Sequence, residues 1–445
     1  MTTSSTYINQ QRREYSLYVM QSRAIPAAAD GLKAGGRRVL WTARDGHKWK
    51  SASLGGATMP IHPHQSPEGA INTLAAPYNN NIPLFVGDGA FGTLLEPTEY
   101  GASRYTSVTI SPFTKDVVFR DIEIVPMKDN YDGTLQEPVH FLPLVPITLL
   151  NPSEGIAVGF ATKILPRALE DIILAQITHL GGGDISNPTP TFVPLNNKSH
   201  ASVPAGNSTA YYFNGDIERV NTTTVRVTKL PYGMNHRDLI QKLDGLIESG
   251  TIVDHDDMSR DVIDIVVKFP PKYLSNKSDE DIIALMGLGV RVVENLTVLN
   301  FNGTTVWTPS PAEFIRQFTD WRLTWYVKRY ERLKSILELD LQRYYDIRTA
   351  IVNDISGQAR VITARSTMKD LLQQMGVVHL DYIADLPIYR FTEDEYNKNE
   401  KRIKDGETLL NSYNSLLSSE PKRRKLYISE LKEILQHHTD GKYTA

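Results

Sequence analysis

One stretch of this sequence constrains the fold more than any other. Ser310-Pro311-Ala312-Glu313 combines a capping box with a proline at the first helical position, a clear start signal for a helix. No glycine or proline then appears until Gly357. The spacing predicts a helix of about 45 residues, roughly 65–70 Å at 1.5 Å per residue. Phe314, Phe318, Trp321 and Trp325 recur at three-to-four spacing, followed by Leu333, Leu337, Leu341 and Tyr344. Such length exceeds that of an ordinary globular helix and favours an arm or antiparallel coiled coil over a plain bundle. A second helical run opening at Thr392-Glu-Asp-Glu395 supplies the returning strand. Residues 367–386 between them read as a small helical head.

The rest of the chain must therefore supply the compact part. Up to about residue 60 it reads as short helices, with an apolar stripe at Tyr15, Leu17, Tyr18 and Met20 and a basic helix around Val39-Leu40-Trp41. Short helices with tight turns and basic residues are compatible with a helix-turn-helix that touches DNA. Residues 60–160 are rich in glycine, proline and turn signals, with Ser66-Pro67 opening a further helix. From 160 to 308 the pattern is mixed α/β. Thr224–Leu230 and Val262–Phe269 suit strands, and between them Asn235 caps a helix that stops at Gly250. Residues 181–184 and 196–207 read as surface loops, and Asp254-His-Asp-Asp257 as a turn.

Of 445 residues none is cysteine, which removes disulfide frameworks, thiolate zinc sites and cysteine nucleophiles together. The N-terminus lacks the apolar segment of a secretory signal and no window is apolar enough to span a membrane, so a cytoplasmic protein is expected. Net charge is −3, an average that hides a local basic excess. Arg12, Arg13, Arg23, Lys33, Arg37, Arg38, Arg44, Lys48 and Lys50 face only Glu14, Asp30 and Asp45 within residues 12–50. Such an excess can neutralise phosphates or simply form a solvated face.

Two constellations carry chemistry. His62-Pro63-His64 lacks a further ligand at a recognised spacing, so it reads as acid/base or phosphate-contacting groups, or as loop histidines, ahead of a metal site. Arg104-Tyr105 places a guanidinium beside a phenol whose ordinary pKa is about 10; the cation favours the phenolate and can hold a phosphate under attack. With 21 tyrosines in the chain, that pair alone leaves a structural role open. So do two rival classes, a metal-dependent phosphodiesterase and a non-enzymatic DNA-binding protein with a coiled coil.

The order of motifs narrows this. Arg23-Ala-Ile-Pro, Asp30-Gly-Leu-Lys33 with Arg37-Arg38-Val39-Leu40, His62-Pro-His64, Leu84-Phe-Val-Gly-Asp-Gly-Ala-Phe-Gly92 and Ala102-Ser-Arg-Tyr-Thr106 follow one another. Then come Asp129-Asn-Tyr-Asp-Gly133, Gly155-Ile-Ala-Val-Gly-Phe-Ala-Thr162, Leu230-Pro-Tyr232 and Leu386-Pro-Ile-Tyr-Arg-Phe-Thr392. Together, from about residue 14 to 435, they resemble the cutting subunit of type IIA DNA topoisomerases; length and Asn79-Asn-Asn-Ile-Pro-Leu84 resemble the T-even phage branch. Gln65 stands where the family has glycine, the loop 64–77 is shorter than in gyrase A, and Asp88 and Ala90 depart from the glycine-rich turn.

The resemblance implies an α+β multidomain fold. It comprises a winged-helix (helix-turn-helix) cleavage domain at 14–155, an α/β tower at 156–308, and a long antiparallel coiled coil with a helical exit-gate head (about 357–392) at 309–445. It implies Tyr105 as nucleophile forming a 5′-phosphotyrosyl bond, with Arg104, Arg23 and His64 steadying charge and His62 a further member. Lys33, Arg37, Arg38, Lys48 and Lys50 would contact DNA, and Ile156 would wedge between base pairs. No metal site is expected on this chain: Mg²⁺ and ATP would belong to an ATPase/TOPRIM partner. Two copies would act on double-stranded DNA, away from any membrane. Because the sequence stops short of a DNA-wrapping domain, relaxation and decatenation are expected ahead of negative supercoiling.

Overall fold

In the computed structural model the long helix runs from Pro311 to Val352, and the Ser310 hydroxyl accepts the Glu313 amide at 3.2 Å. It ends before Gly357 because Asp354 turns left-handed (φ 46°) and accepts the Gly357 amide, capping the short helix Ile355–Gln358. Aspartate tolerates that conformation because its short side chain bonds locally. The structure describes residues 11–12, 14–16, 18–63, 67–157, 159–194, 199–202, 209–362 and 364–443.

The chain divides into two compact units. One consists of residues up to Arg322 together with those from Ile428 onward; the other is Leu323–Tyr427. The resemblance assigns 309–445 to the arm and its head; within that span the end of the last helix, Glu420–Thr439, belongs to the first unit. There Glu430 meets Arg120 at 3.5 Å, His438 meets Glu170 at 3.2 Å, and the Tyr443 hydroxyl donates to Asp116 at 2.9 Å.

Within the second unit the helix Glu393–Ser418 opens on the Thr392 hydroxyl, as its sequence predicts. It lies antiparallel to the long helix. Tyr330 packs on Tyr413 at 5.3 Å, the Asn399 amide donates to the Tyr344 carbonyl at 2.8 Å, and Gly406 admits the Leu341 side chain where a Cβ would crowd it. The helical head contains Arg365–Gln374 and Leu380–Ala384. Buried Asp346 fastens it, accepting the Val378 and His379 amides at 3.1 and 2.8 Å.

In the first unit, Ala34–Thr42, Ser51–Thr58 and Pro67–Ala75 pack as three helices. Beside them stands an antiparallel sheet in the order Trp49–Lys50, Ser107–Ile110, Phe85–Asp88. Val39, Leu40, Leu54, Ile71, Phe85, Val108 and Phe113 are buried there. The N-cap expected at Ser66 lies outside the described residues. A hairpin follows, Ser153–Ala157 paired with Phe160–Ile164.

The region read as one α/β domain holds two antiparallel four-stranded sheets. One has the order Gly289–Val293, Ala210–Asn214, Ser199–Ser202, Thr191–Phe192, and buries Leu165, Phe213 and Val292. The other has the order Asp216–Arg219, Thr224–Lys229, Ile265–Lys268, Asp254–Asp257. Its core of Val225, Val227, Ile265 and Val267 packs against Leu239 and Leu243 of His236–Glu248. That helix carries the Asn235 cap as a full capping box with Asp238.

Two expectations are corrected here. Asp254–Asp257 is an edge strand, not a turn: its backbone pairs with Ile265–Lys268, while His236 and His255 tie Asp257 and Asp244 at 2.8 and 2.9 Å. Charged residues suit an edge strand because they discourage pairing with other chains. Ser199–Ser202 is likewise a strand; residues 196–198 and 203–207 of that expected loop lie outside the described residues. Among the described residues no helix is long and apolar enough to cross a membrane.

Candidate active site

Tyr105 stands in a tight turn that leads into the strand Ser107–Ile110. Its amide and that of Thr106 both donate to the Ala102 carbonyl, at 2.8 and 3.4 Å. The turn is also held from outside. The Ser51 amide donates to the Thr106 carbonyl at 3.0 Å and the Ala52 amide to the Ser103 carbonyl at 3.1 Å. The Lys50 ammonium donates to the Tyr105 carbonyl at 3.3 Å. The first amides of a helix lack partners within it, so here the turn and the helix Ser51–Thr58 complete each other. The Ser103 hydroxyl adds a bond to Glu68 at 2.9 Å.

A fixed backbone leaves the phenol outside, 70% exposed. The Arg104 guanidinium lies over its ring, 4.8 Å from the centroid, a cation–π contact. The glycine-rich segment runs behind the turn. Gly89 (φ 106°) and Gly101 approach the Thr106 methyl so closely that a Cβ on either would stand 3.3 and 3.2 Å from it. Lys48 binds Asp88 of that segment at 2.5 Å, and this hydrogen bond and charge hold the Asp88 carboxyl below its ordinary value.

A second group forms around Arg23, on the π-helical turn Met20–Ala24. Its guanidinium lies 5.8 Å from the Tyr18 ring centroid, the Tyr18 hydroxyl stands 3.4 Å from His62 Nε2, and His62 meets the Tyr131 ring edge-on at 5.9 Å. The Arg23 Nε is buried with no hydrogen-bond partner. A buried donor left unmade costs free energy.

Beside it, the Lys33 ammonium donates to the Glu154 carbonyl at 2.6 Å; burial lowers its pKa against the opposing pull of Glu154. Gly155 packs onto the Ala24 carbonyl with no room for a side chain. The hairpin is thereby seated near Arg23, and Ile156 projects from it, 86% exposed. The contacts thus gather Arg104, Tyr105, Lys48 and Lys50 in one group and Arg23, Lys33, His62 and the Ile156 hairpin in another. His64 lies outside the described residues.

Arg37 and Arg38, expected to contact DNA, are turned inward. Both are buried. Arg37 pairs with Asp30 through two bonds of 2.7 and 2.9 Å, and Asp30 also accepts the Phe141 amide at 2.9 Å. Arg38 pairs with Glu137 at 2.5 and 3.2 Å. Their charges are neutralised internally and act as structural ties. Among the described residues no group of three or more histidines and carboxylates is arranged to hold a metal ion. Ser51, Glu68 and Thr106 were not singled out from sequence. Thr106 adjoins the tyrosine, but the partners of its turn come from residues 50–52 and 68, which no local pattern connects to it.

Comparison with known proteins places these features in context. A family model describing the A subunits of DNA gyrase and topoisomerase IV matches residues 23–432. The chain is similar to the DNA topoisomerase medium subunit of Enterobacteria phage T4, with 27% identity over 88% of this chain and 90% of that protein. It is similar to the A subunit of DNA topoisomerase 4 from Borreliella burgdorferi, with 30% identity over 66% of this chain and 47% of the other. With the DNA gyrase A subunit of Streptomyces coelicolor it shares 27% identity over 97% of this chain and 54% of the other. It therefore spans most of the phage protein and about half of the two bacterial ones.

Proposed function

The chain belongs to the family of DNA gyrase and topoisomerase IV A subunits, and from that premise we propose that Tyr105 is the nucleophile through which it breaks and rejoins DNA. That family supplies the DNA cleavage and rejoining subunit of type II topoisomerases, enzymes that need partner subunits and use Mg²⁺ and ATP. The observation that carries the assignment is the pairing of an exposed phenol with a backbone turn held at Ala102, Ser103, Tyr105 and Thr106. A nucleophile must be both reachable and aimed.

In the proposed step the Tyr105 oxygen attacks a backbone phosphorus and forms a P–O bond to the 5′ side. The bond to the 3′-oxygen breaks; the phenol gives up its proton to water, the departing oxygen takes one up to become a free 3′-hydroxyl, and both transfers reverse on rejoining. The phosphodiester energy is kept in the phosphotyrosyl bond, so resealing is the reverse displacement. Arg104 steadies charge on the phosphate, and Arg23, with its unpartnered buried Nε, supplies a second cation. His62 and His64 are assigned to the same phosphate environment. Lys33, Lys48 and Lys50 flank the path of the DNA backbone, and exposed Ile156 wedges between base pairs to bend the duplex.

The three helices with their small sheet (residues 14–155) are read as the winged-helix cleavage domain and the two four-stranded sheets (156–308) as the tower. The antiparallel helices with their head (about 357–392) are read as the exit gate, closing between two copies of this chain. Mg²⁺ and ATP are assigned to an ATPase/TOPRIM partner subunit. Relaxation and decatenation, ahead of negative supercoiling, are the proposed outcomes.

The test mixes the chain with its ATPase partner, Mg²⁺ and duplex DNA, then denatures rapidly. Protein covalently attached to DNA 5′ ends, lost in Tyr105→Phe, supports the assignment; an adduct that persists in that variant overturns it.

A further inference from the structure

The reactive turn has a lock that the motif around Tyr105 does not reveal. Thr106 and Ser51 exchange two bonds across 55 positions of sequence. The Thr106 hydroxyl donates to Ser51 Oγ at 2.7 Å, and the Ser51 amide donates to the Thr106 carbonyl at 3.0 Å. Thr106 is 1% exposed and Ser51 is fully buried, so neither hydroxyl has water as an alternative. A bond of that length is ordinary for O–H···O, and its loss would leave a buried polar group without this partner.

The other branch of Thr106 is equally fixed. Its methyl fills the space left by Gly89 and Gly101, and a β-branched residue has few rotamers to choose from. The residue next to Tyr105 is therefore held on both branches and at its carbonyl, while the Tyr105 side chain is exposed, with the guanidinium of Arg104 over its ring. The peptide joining the two residues is thereby fixed, and with it the backbone from which the phenol departs.

We infer that Thr106 is the positioning residue for Tyr105, acting through its hydroxyl bond to Ser51; this rests on Tyr105 being the nucleophile. The hydroxyl and the methyl can be separated. Thr106→Val keeps the shape and the packing against Gly89 and Gly101 but removes the bond to Ser51. Thr106→Ser keeps the bond and removes the methyl. Ser51→Ala removes the same bond from the opposite side.

The experiment uses the complex with its ATPase partner and measures DNA affinity and the rate of covalent cleavage separately. Thr106→Val is expected to bind DNA as the unmodified chain does and to cleave roughly ten- to a hundredfold more slowly, the range for a slightly misplaced reacting group. Thr106→Ser should cleave within a few-fold of the unmodified rate (about threefold at most). Ser51→Ala should match Thr106→Val, and the double variant should be no slower than either, since both delete one interaction.

Wild-type cleavage by Thr106→Val, equal slowing by Thr106→Ser, or slowing in the double variant equal to the product of the singles overturns the inference. Should Thr106→Val not fold, Ser51→Ala decides the same question. Tyr105→Phe in the same assay separates the two levels. An adduct that survives there contradicts the nucleophile, whereas loss of the adduct there with unimpaired Thr106→Val contradicts only the positioning role.

Discussion

At Glu137 three effects compete. Burial alone would push its carboxyl pKa up, but the hydrogen bond and charge of Arg38, joined by Lys128, outweigh that and hold it below its ordinary value. A carboxylate depressed in the folded state contributes stability that is fully present above its unfolded pKa and disappears as pH falls through the folded one. Thermal stability should therefore drop as the pH is lowered below about 4, and Glu137→Gln should flatten that dependence. The same variant should cost up to about 3 kcal/mol at neutral pH, since the Gln amide can accept one bond from Arg38 but leaves its buried charge without a counter-ion; melting curves across a pH series check both. Unchanged acid sensitivity in Glu137→Gln would remove the tie. Sequence could not separate Arg38 from Arg23. Both sit in one basic run, and what distinguishes them is a partner 99 residues away in the first case and an unpartnered nitrogen in the second.

Among the elements, the hairpin Ser153–Ala157/Phe160–Ile164 shows how packing makes a side chain available. Gly155 lies against the Ala24 carbonyl, which leaves Ile156 pointing outward. Because Ile156 is so exposed, Ile156→Ala should change folding stability by no more than about 0.5 kcal/mol. It should nonetheless reduce DNA bending, read by energy transfer between dyes at the duplex ends, and slow cleavage in parallel. Unchanged bending would remove the wedge. Helix ends were legible at Ser310, Asn235 and Thr392 because a cap is a local signal, complete within four residues. Strands were less so. Asp254–Asp257 has no apolar alternation, and Trp49–Lys50 is too short to show any; both exist because a partner strand supplies hydrogen bonds. The left-handed Asp354 that ends the long helix carries no breaker residue to announce it.

For the whole molecule, the antiparallel nature of the helical pair was readable from length and pattern. The return of residues from Ile428 onward to the first unit was not, since it depends on pairs such as Tyr443 with Asp116. The proposed exit gate requires two copies meeting at the head, where Ile388 and Tyr389 are 73% and 59% exposed. Ile388→Asp should convert a dimer of the chain to monomer in sedimentation velocity without lowering its melting temperature, and a dimer that survives would exclude this surface. The central claim, however, is a covalent bond at one atom. Its most direct measurement is digestion of the denatured protein–DNA adduct with trypsin and nuclease, followed by mass spectrometry of peptide 105–115, which contains a single tyrosine. A nucleotide 5′-phosphate on Tyr105 in that peptide is the expected result. A modified peptide from anywhere else in the chain, with 105–115 unmodified, would contradict it.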